Sequence, residues 1–159
     1  MSTKDLPDFF AMRLAQHTDY ALRMLIHAAL RDPELVTVPE VADAFGLSFA
    51  HLQKVAQTLS AHGYLETVRG RAGGIRLARP AEEIRIGKVV SVTEPDFQLA
   101  PCIQPGERDC PIYEPCTLRN ALKDASDAFL AELNQWTLSD LIRHRKPLLV
   151  VLDGASSRR

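Results

Sequence analysis

Three cysteines, Cys102, Cys110 and Cys116, lie within fifteen residues at the spacing C-x7-C-x5-C, and no other cysteine occurs in the 159-residue chain. An odd number of thiols in a chain without a secretory signal argues against a disulfide framework. Structural zinc normally takes four protein ligands and close C-x2–4-C pairs, and this spacing has neither. Three thiolates on one proline-rich loop, with no fourth, suit an iron–sulfur cluster. The fourth ligand would then come from elsewhere in the chain, from another subunit or from a small molecule. An oxygen ligand there would leave one iron more open to attack than its neighbours, a liability in an electron carrier and an asset in a sensor. The alternatives are incidental free thiols or a redox-active pair. The histidines, His17, His27, His51, His62 and His144, show no metal-binding spacing that would add to the set.

The elements around this loop can be read from periodicity and caps. Residues 1–11 read as a flexible extension, and Met12 offers an alternative start. From Met12, Leu22, Leu25, Ile26 and Ala29 recur at helical spacing, with Thr18 as the expected N-cap and Pro33 as the stop. Thr37 should cap a second, short helix that Gly46 ends. Ser48 should cap a third that runs to Gly63, with Phe49, Leu52, Val55, Ala56 and Leu59 as its apolar stripe. The period then changes, and residues 64–69 and 75–78 read as two strands joined by a Gly-rich turn. A shorter helix, IGKVVSVTE, precedes the cysteine loop at 95–116. A long helix then runs from about Cys116 to Trp136, and residues 138–145 read as a last short helix. Three helices and a β-hairpin make the pattern of a winged helix-turn-helix, in a mainly α chain with a long C-terminal helix.

Charge distribution points to a partner for that pattern. The chain is almost neutral, with a formal net charge of −1, yet residues 51–79 carry Lys54, Arg69, Arg71, Arg76 and Arg79 against the single acid Glu66. Residues 32–50 hold four acids and no Lys or Arg. A local basic segment is the footprint of phosphate binding. A major groove accepts one helix and meets its first turns, which here offer Ser48, His51, Gln53 and Lys54. The turn of the hairpin offers Arg69, Arg71 and Arg76 among glycines, which let backbone approach phosphate closely. Double-stranded DNA is therefore the expected ligand, and protein contacts through the same fold are the alternative.

Other classes fall away. No nucleophile–base constellation, P-loop or dinucleotide-binding fingerprint is present, so no enzyme is expected. No apolar run approaches the ~20 residues of a membrane span, and the N-terminus lacks the basic and apolar regions of a signal peptide. A cytoplasmic protein with no membrane partner is the expectation.

The segments MRLAQHTDYALRML, YLETVRGRAGGIRLARP, IRIGKVV and FLAELNQWTLSDL, with the cysteine triplet, resemble the bacterial winged-helix regulators of the NsrR/IscR/RirA type over Met12 to Leu152. The resemblance implies a homodimer built on the long helix, one cluster per subunit, and a repressor whose operator affinity follows cluster state. The chain then divides into the flexible extension 1–11, a winged helix-turn-helix DNA-binding domain 12–94, a cysteine-rich cluster-binding loop 95–116, a dimerisation helix and C-terminal helix within 117–152, and a flexible tail 153–159. In NsrR-type members a 4Fe–4S cluster held by three Cys and a partner-subunit Asp senses nitric oxide by nitrosylation, and the matching residue is Asp19. The His ligand of IscR-type members is replaced by Arg119. RirA-type members share the C-x7-C-x5-C spacing and respond to iron or cluster supply, which makes an iron-responsive repressor the alternative. A thiol-redox or zinc-containing regulator is a further one.

Overall fold

A computed structural model of the chain describes residues 13–95, 100–103, 106 and 108–156; the expected extension 1–11, Met12 and residues 157–159 lie outside them. The architecture is mainly helical with one two-stranded antiparallel hairpin, as the sequence pattern predicts.

Helix α1, Gln16–Arg31, forms the centre of the core and buries Ala21, Met24, Leu25, Ala28 and Ala29. Its N-terminus differs from expectation. Thr18 lies inside the helix, fully buried, and does not cap it. The capping position is Ala15, whose N–H donates to both carboxylate oxygens of Glu94 at 3.1 and 3.0 Å. A carboxylate brought from 79 residues away thus meets the positive end of the helix, which local sequence cannot reveal.

Helix α2, Val38–Phe45, starts where local chemistry says it must. Thr37 and Glu40 form a reciprocal capping box, Pro39 occupies the first turn, and Gly46 closes the helix with φ +66°. Helix α3, Phe49–Ala61, follows after Ser48, which takes the N-cap position without making a side-chain cap bond. Leu52, Val55, Ala56 and Leu59 are buried, but Phe49, expected in the same stripe, is 45% exposed. Phe49 stands at the rim of the buried stripe in the first turn, and residues 48–51 are all exposed, so that turn projects into solvent.

Strands β1, Leu65–Val68, and β2, Gly74–Leu77, pair from Leu65 opposite Leu77 to Val68 opposite Gly74. Val36, between α1 and α2, exchanges backbone hydrogen bonds with Ile75 at 3.0 and 2.7 Å and ties the hairpin to the helices. A side chain at Gly74 would collide with the Val36 carbonyl, so glycine is what permits this approach.

Helix α4, Ile86–Thr93, crosses helix α5, Thr117–Leu133, at Gly87, where a Cβ would lie 2.5 Å from the Leu130 carbonyl oxygen. Backbone meets backbone at that point. Helix α6, Leu138–Leu141, has its own Thr137–Asp140 capping box and plugs the core with Leu138. The expected last helix at 138–145 is therefore much shorter. A separate helix, α7, Arg145–Ser156, was not foreseen, and residues 153–156 belong to it instead of to a tail. Pro147 falls in its first turn, where a missing N–H costs nothing, so the chain can restart a helix there. Leu152 packs with Leu30 and Ala44, and Asp153 pairs with Arg31. No helix among the described residues is long and apolar enough to cross a membrane.

Candidate functional site

The first turns of α3 present Ser48, His51, Gln53 and Lys54, all exposed. His51 leans toward α1, its ring 6.3 Å from that of Tyr20, while Gln53 and Lys54 face outward one turn from Phe49 and Ala50. The hairpin carries Arg69 and Arg71 exposed at its tip. Arg76 is placed differently: it sits opposite Glu66 across the two strands, and its guanidinium binds that carboxylate at 3.1 Å. Arg79, part of the same basic segment, donates to the carbonyls of Gly63 and His62 and lies 5.1 Å over the Tyr64 ring. It closes the hairpin onto the end of α3. Two of the basic wing side chains are thus held by the protein itself, while Arg69 and Arg71 stand at the tip.

Cys102 sits in a single 3-10 turn, Pro101–Ile103, and is half-buried; Cys110 is exposed. Both line one surface depression with Pro101 and Asp109. Cys116 is half-buried at the N-cap of α5, and its Sγ accepts the Arg119 N–H at 3.4 Å. Between them, the Tyr113 ring carries the Arg119 guanidinium at 4.1 Å and that of Arg108 at 5.8 Å, which folds the loop back onto the start of α5. Among the described residues no three His, Cys, Asp or Glu side chains converge as a ligand set. Cys102 and Cys110 share a surface, and the 3-10 turn that holds Cys102 packs against the helix that Cys116 caps. The donor chemistry fits an iron–sulfur cluster all the same: three soft sulfur donors on one loop, one with a backbone N–H already aimed at it.

Asp19 occupies the first turn of α1 and is not among the residues that line the cysteine depression. Its carboxylate binds the Arg23 guanidinium at 3.0 Å, and Arg23 in turn lies 5.9 Å over the Phe45 ring at the end of α2. Glu94, which sequence reading did not single out, holds the N-terminus of α1 and immediately precedes the expected loop at 95–116. A lone Glu after a short helix carries no local sign of that role.

Helix α5 buries only Ser126 fully within the chain. Leu118, 64% exposed, begins a row continued by Ala121, Leu122, Ala125 and Phe129 at helical spacing. Leu118, Ala121 and Ala125 of this row are exposed, while Leu122 and Phe129 are half-buried.

Away from these features, His27 is buried between α1 and α2, edge-on to Phe45 with ring centroids 6.0 Å apart, and its Nδ1 has no partner. Burial, and then the nearby Arg31, hold its pKa below the usual 6.5, while Glu40 and Asp153 act in the opposite sense.

A family model described as "Rrf2: Iron-dependent Transcriptional regulator" matches residues 14–144. The chain is 45% identical over 141 residues to "Protein aau3" of Rhizobium meliloti (strain 1021), covering 89% of this chain and 92% of that protein. It is 41% identical over 142 residues to the HTH-type transcriptional regulator NsrR of Bacillus subtilis (strain 168), covering 89% and 97%. Among solved structures, CymR (YrzC), the global cysteine regulator of B. subtilis, superposes with a TM-score of 0.66 at 21% identity, over 84% of this chain and 98% of that one. T. potens IscR does so with a TM-score of 0.67 at 20% identity, over 86% and 90%.

Proposed function

The chain belongs to the Rrf2 family of transcriptional regulators, and from that premise we propose a homodimeric, operator-binding repressor that carries one iron–sulfur cluster per subunit and senses nitric oxide. Its family and relatives are regulators, not enzymes. The observation that carries the proposal is the position of Cys116, which is both the last of three thiols on one loop and the N-cap of the helix that exposes Leu118, Ala121 and Ala125. Whatever happens at that sulfur happens at the first turn of the surface that would join two subunits.

Cys102, Cys110 and Cys116 would hold a 4Fe–4S cluster, with Asp19 supplied across the dimer as an oxygen ligand. The cluster would supply iron that reacts with nitric oxide. The remaining steps belong to the protein's own side chains. To reach a metal, Asp19 must leave Arg23, and Arg23 then no longer has a carboxylate fixing it over Phe45 of α2. Once released from a metal, the Asp19 carboxylate would be free to pair with Arg23 again and hold it over Phe45. Only a small bias is required, since a hundredfold change in operator affinity is about 2.7 kcal/mol.

Native mass spectrometry of anaerobically purified protein, titrated with nitric oxide and separately with an iron chelator, tests this reading. A dimer with four irons and four sulfides per subunit that takes up nitric oxide and keeps its iron under mild chelation is the expected result. Ready surrender of iron to the chelator favours an iron-responsive repressor, the reading that the C-x7-C-x5-C spacing supports. Zinc or no metal favours thiol-redox control, which the depression shared by Cys102 and Cys110 supports.

A further inference from the structure

Resting on the DNA-binding reading above, we infer that Phe49, with Ala50 beside it, reads the 5-methyl groups of thymines in the major groove. Phe49 is the first residue of α3 and is 45% exposed. With 3.6 residues per turn, Gln53 lies on the same face one turn on, and Ala50, Lys54 and Gln57 continue that face, all exposed. The buried residues Leu52, Val55, Ala56 and Leu59 occupy the other side. Phe49 therefore belongs to the surface a duplex would meet, and to the turns that reach base edges in a helix-turn-helix.

An aromatic ring is the large apolar member of a face that otherwise carries Ala50, Gln53, Lys54 and Gln57. Its apolar area is recovered only against another apolar group. In the major groove thymine alone offers one, its C5-methyl, because the other base edges present donors and acceptors. Gln53, one turn further along, has the amide that pairs bidentately with adenine. Together they make the face a reader of A·T pairs. A protein partner for the ring is disfavoured by charge. The charged groups of this face and the hairpin tip are Lys54, Arg69 and Arg71, and the one acid of the hairpin, Glu66, is engaged by Arg76. That balance complements a polyanion.

The test enriches operators from a randomised duplex library with the full-length chain, once as purified anaerobically and once after iron chelation. Each thymine of the selected site is then replaced by deoxyuridine, which removes a methyl and nothing else. One thymine per half-site should show binding about fourfold weaker on replacement, the worth of one buried methyl. Phe49→Ala should bind the thymine and uracil sites equally. Phe49→Gln, a polar chain of good helix propensity, should lose the discrimination too, and Phe49→Leu should keep part of it. Thymine and uracil sites bound alike at every position, or a preference that survives in Phe49→Ala and Phe49→Gln, overturns the inference and leaves the repressor reading intact. Failure to enrich any sequence in either state overturns both.

Discussion

The imidazole of His51 lies 6.3 Å from the ring of Tyr20, tilted by 45°, and the Tyr20 hydroxyl accepts a hydrogen bond from Gln16 Nε2 at 2.9 Å. Helix α3 therefore rests one of its exposed side chains on the first two turns of α1. Those same turns contain Asp19 and are anchored by Glu94. A displacement at the start of α1 reaches α3 through a direct ring contact.

His51→Ala should leave folding stability within about 0.5 kcal/mol, because the side chain is exposed. Operator affinity should fall by about 1–3 kcal/mol, with discrimination relaxed at one base pair. Thermal melts and anisotropy titrations against base-substituted operators separate the two effects. An equal loss on every sequence would reassign His51 to a phosphate.

The wing arginines should not be equivalent. Arg71→Ala should weaken binding to all sequences alike and lower the slope of log affinity against log salt by about one. Arg76→Ala should change that slope less, since Glu66 already neutralises it, and Glu66→Gln should strengthen binding. Salt titrations of the three variants decide it; equal slopes for Arg71→Ala and the parent chain would remove Arg71 from the phosphate contacts.

Asp19→Ala should cost little stability, because a half-exposed i, i+4 ion pair is worth about 0–1 kcal/mol. Iron retention should drop sharply, and the operator response to nitric oxide with it. Iron content by native mass spectrometry is the direct readout. A variant that keeps its metal and responds as the parent does would sink the ligand role.

His27 gives a pH dependence with a definite sign. Its folded pKa lies below the usual 6.5, so as pH falls through that range the unfolded chain takes up a proton before the folded one does. Its influence leaves stability intact above about pH 6.5 and erodes it as pH falls from there through the folded value. Denaturant midpoints should therefore be lower at about pH 5.5 than at about pH 7.5, and His27→Met should flatten the difference. A slope unchanged by that substitution would place the titration elsewhere.

What could be read from sequence was what neighbours along the chain decide. Thr37, Pro39, Glu40 and Gly46 delimit α2 by themselves, and the Gly-rich turn announces the hairpin. The winged-helix pattern followed from those two features, and the exposure of Lys54, Arg69 and Arg71 agrees with the basic segment. What escaped depends on distant partners. Thr18 looks like a cap, yet Glu94 holds the N-terminus of α1. Counting from Leu52 puts Phe49 in the apolar stripe, because a period cannot say where the core ends. Arg76 reads as a free cation until the strand register sets Glu66 opposite it. Helix α7 hides behind Pro147 and Gly154, and its reason to form lies in distant partners such as Leu30, Ala44 and Arg31. The cysteines were plain as three thiols on one loop, while among the described residues they do not converge as a ligand set, which spacing along a chain cannot foretell.

Gly87 sets how closely two helices can approach. With no side chain between α4 and α5, backbone lies against backbone where they cross, and any side chain at residue 87 would wedge the two helices apart. In the dimer proposed above, that wedge would fall between the winged domain and the helix that joins the subunits, so the angle at which each reading head is carried would be written into the absence of a single carbon atom.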